Sequence, residues 1–497
     1  MFNLKELGEP IEFWEYFEKI SKIPRCSEHE EKIRSFIKKE ADDLGYVTKV
    51  DKAGNLLIKI PVKSLPYLKG VLQCHMDMVC EKNEAVTHDF SKDPLKLMIK
   101  NLNGEKWLTA DGTTLGADNG VGISYLLTLM KKIHKGEIDI DSLSLDLLFT
   151  VNEEQGLRGA FEIKEDFTGG DFLINIDAEE DNAVTIGCAG GIVTIYEVKI
   201  EKIKVEETYI PIKIFISGLL GGHSGVDINL GRGNALKIIS QILWKLNKKF
   251  KIQFCSIDGG NKTNAIPREA TSILYIEKDK FSEIKNFIET QSRNIKVIFE
   301  GIEPNLEISI KKLENYSNKK VFSNKFQDRI LNIIYLIPFG PLSMHPQIKG
   351  LVFNSTNLGT IKTRDSDIEI KISQRSLSEY FKTVIWENVK ALFDLSNLDF
   401  NFKIDSDYPG WTPNFESNLL AKCDETYEDL FNEKIVVKAI HAGLECGILK
   451  KKFPQMDMIA IGPINEAAHS PDERLLIKSV EKVWKFIIAL LKNLSCN

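Results

Sequence analysis

The sequence predicts an α/β protein in which a mixed sheet flanked by helices is interrupted by a large insertion. Helix-like and strand-like segments alternate over residues 1–185. This alternation changes after "GCAGG", and a strand–loop–helix pattern returns near the end of the chain. Short apolar runs separated by helices are typical of a sheet covered on both faces. A chain of 497 residues also exceeds what one hydrophobic core usually supports. We therefore predict three segments: 1–186 and 401–497 form one domain, and 187–400 form the insertion.

The elements of the first segment follow from their periodicity. Ile33, Phe36 and Ile37 have helical spacing, and Gly45 near the end of that stretch favours helix termination. The segment "GVGISYLLTLMKKIHKG" also predicts a helix. Four short runs predict strands: "NLLIKI", "GVLQCHMD", "LDLLFTVNEE" and "DFLINIDAEE".

The insertion and the last segment have their own pattern. The insertion predicts a long series of strands and helices rich in Lys and Ile. The stretch "DSDYPGWTPNFES" then supplies Pro, Gly and Asp, which punctuate structure, and "NLLAKCDETYEDLF" predicts a helix. Residues 457–491 predict a strand, a loop and a final helix, which is the pattern of elements seen in the first segment.

Charge and hydropathy exclude several classes of partner. The formal net charge is −6 and no long basic block is present, which disfavours a nucleic acid or an anionic membrane. No apolar run approaches the roughly 18–20 residues that span a bilayer. The N-terminal stretch "MFNLKELGEPIEFWEYFEKI" carries acids throughout, so it predicts an amphipathic helix and not a signal peptide. We expect a cytoplasmic protein.

The eight cysteines, at positions 26, 74, 80, 188, 255, 423, 446 and 496, form no CxxC pair. In a cytoplasmic chain of this size they are expected to be reduced and mostly buried. Neither a zinc ribbon nor a disulfide scaffold is expected.

Three apolar runs of the first segment end in side chains that can hold metals. One run ends in His75 and Asp77, another in Glu153 and Glu154, and the third in Asp177. In open α/β sheets, ligands bind outside the carboxyl ends of strands, so these side chains can converge. A Gly-rich loop presents Asp118 just before a helix, and His469 lies in a loop between a strand and the last helix.

The combination of imidazoles and carboxylates without thiolates suits Zn²⁺ or Mn²⁺. Two ions about 3.5–4 Å apart need a shared carboxylate and several terminal ligands. His75, Asp118, Glu154, Asp177 and His469 meet that requirement, and a remaining carboxylate can serve as general base. Taken singly, each has a plainer interpretation: His75 as a hydrogen-bonded core residue, Asp118 as a helix N-cap, and the Glu pair as loop charges.

Several motifs together resemble one enzyme family. "LQCHMDMV", "TLGADNGVG", "NEEQGLRGA", "IDAEE" and "AHSPDE", in this order, are similar to motifs of the M20 metallopeptidases. "GGHSGVDI", "NAIPREA", "YPGW" and "HAGLECG" narrow the resemblance to the bacterial cytosolic aminoacyl-histidine (Xaa-His) dipeptidases. The resemblance covers the chain from the first helix to the end.

The resemblance implies a role for each predicted metal-site residue. Asp118 would bridge two ions, His75 and Asp177 would hold one of them, and Glu154 and His469 would hold the other. Asp77 would orient the imidazole of His75. Glu153 would be the general base that takes a proton from the attacking water and passes it to the leaving amine.

The resemblance also implies that the insertion is an α+β lid domain that carries a homodimer contact. There His223 would stabilise the tetrahedral oxyanion, while Asn264, Arg375 and the Gly443 loop would contact the substrate, Arg375 at its terminal carboxylate. Outside this pattern, His223 fits a glycine-rich turn and Arg375 fits a surface ion pair.

The function that these observations predict is metal-dependent hydrolysis of Xaa-His and other dipeptides by water that two divalent ions activate. Zn²⁺ is favoured, with Mn²⁺ or Co²⁺ as alternatives. Two other functions are open: hydrolysis of N-acyl amino acids by the same chemistry, or binding by a catalytically inactive paralogue. The paralogue hypothesis predicts losses among the ligands or the base, and the sequence has none.

Overall fold

The computed structural model describes residues 6–62, 68–140 and 142–495. The chain divides into two compact units. The first comprises Met1–Cys188, Trp411–Ala439 and Leu444–Asn497, and the second comprises Ala189–Gly410 and Ile440–Gly443.

The helices and strands follow in chain order. Up to Cys188 they are α1 (Ile11–Ile20), α2 (Glu31–Asp43), β1 (Val47–Val50), β2 (Leu56–Ile60), β3 (Leu68–His75), β4 (Leu97–Leu102), β5 (Glu105–Ala110), α3 (Ala117–His134), β6 (Leu143–Thr150), α4 (Arg158–Glu162), β7 (Phe172–Asn175) and β8 (Ala183–Cys188). The second unit contributes β9 (Gly190–Lys199), β10 (Lys202–Lys204), β11 (Tyr209–Ser217), α5 (Ala235–Lys249), β12 (Ile252–Gly259), β13 (Ala270–Glu277), α6 (Phe281–Ile298), β14 (Glu307–Lys312), β15 (Lys320–Phe322), α7 (Asn324–Leu336), β16 (Gly340–Met344), β17 (Val352–Thr363), β18 (Asp367–Ser376), α8 (Glu379–Leu395) and β19 (Phe400–Tyr408). The remaining elements are α9 (Asn418–Phe431), β20 (Val436–Ile440), α10 (Glu445–Lys452), β21 (Asp457–Ala460), β22 (Asn465–Glu466), β23 (Arg474–Leu476) and α11 (Ile477–Ser495).

The main sheet of the first unit is mixed. Its described strands lie in the order β1-β2-β6-β3-β7-β21-β8-β20. At its centre β6, β3, β7 and β21 run parallel to one another, whereas β2 pairs with β6 and β8 pairs with β21 in the antiparallel sense. Parallel strands place their carboxyl ends at one edge of the sheet, and here that edge is formed by strands that arrive from both halves of the sequence. A smaller sheet has the order β22-β23-β5-β4.

Helices cover this sheet with apolar faces. In α1, Phe13, Trp14 and Phe17 are buried, and the ring of Phe13 lies 4.6 Å from that of Tyr125 in α3. Most of α3 from Ala117 to Met130 is buried, as expected of a helix that packs on more than one side. The aromatic residues of α1 are therefore a packing face.

The second unit has a larger antiparallel sheet of its own. Its described strands lie in the order β14-β11-β13-β12-β17-β18-β9-β19, with β16 paired to β17. Helices α5, α7 and α8 contribute buried side chains to the same apolar core, in which the rings of Tyr196 and Phe393 stack 3.8 Å apart. Polar side chains accept from backbone N–H groups at the start of each of these helices: Asn234, Ser323 and Ser378.

The fold class expected from the sequence, a mixed α/β sheet with a large inserted α+β domain, is confirmed. The bounds of the units differ in detail from those predicted. The boundary placed between residues 400 and 401 falls inside β19, which pairs with β9 and so belongs to the second unit. A short segment, Ile440–Gly443, also belongs to the second unit, although its neighbours on both sides lie in the first.

The expectation that the cysteines are all reduced is wrong for one pair. Cys26 and Cys80 form a disulfide, with Cα atoms 5.7 Å apart and a sequence separation of 54. The two cysteines form no CxxC motif, because Cys80 reaches Cys26 only after the chain has passed through β3. Five other cysteines are buried, namely Cys74, Cys188, Cys255, Cys423 and Cys446, whereas Cys496 lies outside the described residues.

Among the helices that the structure describes, none is both long enough and apolar enough to cross a membrane.

Candidate metal centre

The predicted site residues of the first unit lie where three parallel strands end. His75 is the last residue of β3, and Asp177 follows β7 by two residues. Glu153 and Glu154 follow β6 across a turn in which Asn152 has a φ of 50°. Because β6, β3 and β7 are neighbours, their carboxyl ends bring these four side chains to one edge of the sheet.

Asp118 reaches the same edge from the turn that opens α3. Gly116 in this turn has a φ of 67°, a left-handed conformation that favours glycine. The peptide bond between Asp118 and Asn119 is cis, and the Asn119 amide donates to the Oδ1 atom of Asp177 over 2.5 Å. The turn thus connects the loop of Asp118 directly to the end of β7.

His469 comes from the loop between β22 and β23. Its backbone has a φ of 65°, which is uncommon for a residue other than glycine. The His469 side chain is 51% exposed, whereas that of His75 is 1% exposed. The two imidazoles therefore approach Asp118 from different environments, one from solvent and one from the protein interior.

The Asp118 carboxylate lies between the two imidazoles. Its Oδ1 atom is 2.8 Å from Nε2 of His75, and its Oδ2 atom is 3.0 Å from Nε2 of His469. Nε2 of His75 is also 3.3 Å from Oδ1 of Asp177. Nε2 of His469 is 2.9 Å from Oε2 of Glu154.

Two groups of potential ligands result, and Asp118 is common to both. One group is His75, Asp118 and Asp177, and the other is Asp118, Glu154 and His469. Within each group the ligand atoms lie within 4.8 Å of one another. A third group joins His75 and Glu154 with Glu153. The structure thus brings together all five side chains predicted as metal ligands, together with the predicted base.

The donor set fits divalent cations. It combines two imidazole nitrogens with carboxylate oxygens and contains no thiolate, which suits Zn²⁺ and Mn²⁺. The Oε1 atom of Glu154 is buried and has no hydrogen-bond partner among the described residues. A buried carboxylate oxygen without a donor is costly unless a cation meets it.

Burial and mutual repulsion shape the electrostatics of the carboxylates. Burial holds the pKa of Glu153 well above its ordinary value. Burial, opposed by His75, also raises the pKa of Asp177 to about 6. Hydrogen bonds to Asp118 and Glu154 raise the pKa of His469 to about 11. This edge of the sheet therefore concentrates negative charge in a buried setting.

Asp77 connects the His75 imidazole to the backbone of the Glu pair. Its Oδ1 atom lies 3.3 Å from Nδ1 of His75 and accepts from the backbone N–H of Glu153 over 3.0 Å. Its Oδ2 atom accepts from the N–H of Glu154 over 3.2 Å and from the Ser27 hydroxyl over 2.8 Å. One buried carboxylate thus fixes both the imidazole and the turn after β6.

Two buried charged residues that the sequence did not single out support the site. Arg25 donates to the backbone carbonyls of Met76 and Asp77 over 3.1 and 2.8 Å, and also to that of Gly116. Glu473 accepts from the backbone N–H groups of Leu115, Gly116 and Asp118 over 2.7, 2.8 and 3.2 Å. The "AHSPDE" motif ends in Glu473, so only that residue had a signal in the sequence.

A network of buried, hydrogen-bonded polar side chains lies next to the predicted ligands. The Glu445 carboxylate accepts from the Gln73 amide over 2.6 Å and from the Thr150 hydroxyl over 2.7 Å. The Gln73 oxygen accepts from the Asn175 amide over 2.6 Å. Gln73 and Asn175 precede His75 and Asp177 by two residues, so each pair shares a face of the sheet. The network therefore ties together the three strands that carry predicted ligands.

In the second unit, three predicted residues, His223, Asn264 and Arg375, lie on neighbouring segments. The His223 and Asn264 segments are joined by a bridge between His223 and Ala265, and Ser224 donates to the Asn264 carbonyl over 2.8 Å. Arg375 in β18 is 5% exposed, and its Nη2 atom lies 3.3 Å from Nε2 of His223. Arg375 and Asn264 line a cavity of about 500 Å³.

Gly443 lies in the short segment that follows β20. In the same segment, His441 is buried and its Nε2 atom is 2.7 Å from the Ser355 hydroxyl. Burial, with the nearby charges of Arg375 and His223, lowers the pKa of His441 to about 3. His441 is therefore neutral near neutral pH, next to the positively charged guanidinium of Arg375.

Comparison with known proteins identifies the family. A profile of the M20 peptidase dimerisation domain matches residues 216–300. The cytosol non-specific dipeptidase of Escherichia coli (strain K12) is 35% identical over 496 residues, which cover 99% of each chain. This chain belongs to the M20 family of metallopeptidases. The family predicted from the sequence motifs is therefore confirmed.

Solved structures agree with this placement. The aminoacylhistidine dipeptidase of Vibrio alginolyticus superposes with a TM-score of 0.84 and 33% identity, covering 97% of this M20 chain and 96% of the Vibrio chain. Aminopeptidase PepT of Bacillus cereus superposes with a TM-score of 0.57 and 13% identity, over 97% and 98% of the two chains. At that identity the second likeness concerns the fold alone.

We expect the Glu445 network to stabilise the first unit of this M20 protein. Glu445→Ala removes the oxygen that accepts the shorter hydrogen bonds of the buried Gln73 amide and Thr150 hydroxyl, so it should lower the free energy of unfolding by about 1–3 kcal/mol in urea denaturation. Glu445→Gln keeps one acceptor oxygen and should lose less. Glu162→Ala, which removes an exposed carboxylate from the same unit, is the control. An equal loss in the Ala and Gln variants would contradict this role.

We also expect His441 to make the protein sensitive to acid. Its folded pKa of about 3 lies below its ordinary value of 6.5, so the unfolded chain binds the proton first as the pH falls. Stability should be complete above the unfolded pKa and decline below it, by about 1 kcal/mol at about pH 5.5. Urea midpoints of wild type and His441→Gln at about pH 7.5 and 5.5 measure this. The decline should be smaller in the variant, and exposed His134→Gln should behave as wild type.

Proposed function

We propose that this protein is a metal-dependent dipeptidase that hydrolyses Xaa-His and other dipeptides. One observation carries the proposal: two groups of ligand side chains share the Asp118 carboxylate and have Glu153 beside them. The full-length identity to a cytosol non-specific dipeptidase supports dipeptides as the substrate class.

In this proposal two divalent ions, with Zn²⁺ favoured over Mn²⁺ and Co²⁺, occupy the two groups. His75, Asp177 and Asp118 would hold one ion, and Glu154, His469 and Asp118 would hold the other. When bound, the ions supply Lewis-acid chemistry: they polarise the peptide carbonyl and lower the pKa of water. The arrangement of Asp118 between two imidazoles, with one oxygen toward each, supports this assignment.

Glu153 acts as the general base. It accepts a proton from the attacking water and later donates that proton to the leaving amine, so the carboxylate is regenerated in each cycle. Burial favours this role because it raises the pKa of the Glu153 carboxyl, which makes the carboxylate a stronger proton acceptor. Asp77 orients the His75 imidazole through Nδ1 and holds the backbone of Glu153 in place.

The second unit supplies substrate contacts. His223 stabilises the negative charge that develops on the carbonyl oxygen, and Asn264 positions the substrate. Arg375 and the Gly443 segment bind the terminal carboxylate, which the buried guanidinium of Arg375 supports. We further propose that the protein is a cytoplasmic homodimer that assembles through the unit matched by the dimerisation profile.

A hydrolysis panel tests the substrate class. The metal-loaded protein should hydrolyse Xaa-His and several other dipeptides, with little activity on tripeptides or N-acyl amino acids. The panel is measured with Zn²⁺, Mn²⁺ and Co²⁺ in turn, and with a chelator, which should abolish the activity. Inactivity on every dipeptide would refute the proposal, and preferential cleavage of N-acyl amino acids would favour the alternative substrate class.

Glu153→Ala tests the general base. The variant should retain its metal by elemental analysis and lose about 10²- to 10⁴-fold in kcat, because the proton acceptor is gone while the ligands remain. Glu180→Ala is the matched control, since Glu180 is an exposed acid of the same unit that pairs with Lys438. Near wild-type activity in Glu153→Ala would show that another group is the base.

A further inference from the structure

Tyr408, which none of the predicted roles includes, contacts one of the proposed substrate residues. It is the last residue of β19, and its hydroxyl accepts a hydrogen bond from Nη1 of Arg375. Tyr408, Arg375 and Asn264 line the same cavity of about 500 Å³. The contact therefore lies in the part of the second unit where the proposed function places the substrate carboxylate.

Strand register explains how a tyrosine reaches Arg375. Gly191 in β9 pairs with Arg375 of β18 on one side and with Tyr408 of β19 on the other. Arg375 and Tyr408 are thus two strand spacings apart, about 10 Å. A Cβ atom at Gly191 would lie 2.3 Å from Cζ of Tyr408. Only glycine at this position lets the ring cross the strand and bring its hydroxyl to the guanidinium.

The same ring also covers the segment that contains Gly443. A Cβ atom at Gly443 would lie 2.8 Å from Cε2 of Tyr408, so the ring rests directly on that backbone. The Tyr408 backbone is itself anchored, because Nζ of buried Lys382 donates to its carbonyl over 2.8 Å and to Asp407 over 2.7 Å. Tyr408 is therefore a fixed side chain that contacts both proposed carboxylate-binding groups, Arg375 and Gly443.

The Arg375 guanidinium needs an anion. It is 5% exposed, and its Nε atom has no acceptor among the described residues. The described arginine ion pairs are those of Arg232, Arg364 and Arg474, so no described carboxylate neutralises Arg375. A buried cation without an anionic partner is costly until an anionic group pairs with it. The phenol hydroxyl orients the guanidinium without neutralising it.

We propose that Tyr408 is a positioning residue that makes the site select substrates with a free terminal carboxylate. It holds the Arg375 fork and the Gly443 backbone in the arrangement that a carboxylate fits, while leaving the positive charge of Arg375 for the substrate. The inference rests on the proposed dipeptidase function. It adds to that function the residue that makes the site prefer a substrate with a terminal carboxylate over one with a terminal amide.

Tyr408→Phe tests the inference in the metal-loaded, full-length protein. The substitution keeps the ring over both glycines and removes only the hydroxyl. KM for the dipeptide Ala-His should rise about 5- to 30-fold with kcat within about twofold, because the guanidinium that binds the substrate carboxylate loses the hydrogen bond that orients it. KM for Ala-His amide should change little, so the preference for the free acid should fall. Tyr380→Phe, the same substitution at a 72% exposed position of this unit, should have no effect.

A double-mutant cycle with Arg375→Lys separates positioning from packing. Lysine lacks the planar fork, so Tyr408→Phe should raise KM for Ala-His by less than about twofold in the Arg375→Lys background. Full additivity, an unchanged KM in Tyr408→Phe, or equal effects on acid and amide would each overturn the inference.

Failure of the proposed function would look different, because wild type would then hydrolyse neither compound. Calorimetric titration of Ala-His and its amide into wild type and Tyr408→Phe then supplies the second readout. Selective loss of acid binding in the variant would support the role of Tyr408, and its absence would refute it.

Discussion

The structure of the first unit depends on placing several carboxylates within a few ångströms of one another in a buried edge of a sheet. Like charges at such distances repel, and burial strengthens the repulsion. The protein offsets this by placing two imidazoles on opposite oxygens of Asp118 and by giving Asp77 and Glu473 several backbone N–H donors each. Divalent cations at the same place would convert the repulsion into ligation.

This constraint explains which residues the sequence could predict. The ligands follow apolar strands, and neighbouring parallel strands must end at one edge, so short-range periodicity was enough to bring His75, Asp177 and the Glu pair together. Asp118 and His469 were predicted from residue type and loop position, but strand periodicity could not place them, because each lies in an irregular loop that contains left-handed conformations. The motifs also predicted the family, which full-length identity confirms.

Other features were beyond the sequence because they depend on pairings between distant segments. The Cys26–Cys80 disulfide joins two loops that no local pattern relates. No sequence pattern marks Arg25, and only the structure shows that its guanidinium donates to the backbone carbonyl of Asp77. The predicted end of the insertion fell within β19, although Phe400, Phe402 and Ile404 alternate with polar residues there. The second half of this strand is polar and exposed, and its pairing with β9 is what assigns it to the second unit. Tyr408 acquires its contact only through the register of three strands.

The order of strands in the main sheet has a consequence for synthesis of the chain. Strand β21 lies between β7 and β8, yet it is separated from both in sequence by the whole of the second unit. During synthesis, β7 and β8 therefore emerge from the ribosome long before β21, the strand that lies between them. Four of the five proposed ligands likewise emerge long before the fifth, His469. The inserted unit has its own sheet and core and can fold in the interval. The set of proposed ligands is therefore complete only after residue 469 has been synthesised, so a metal site that needs all five cannot assemble while the inserted unit is still emerging.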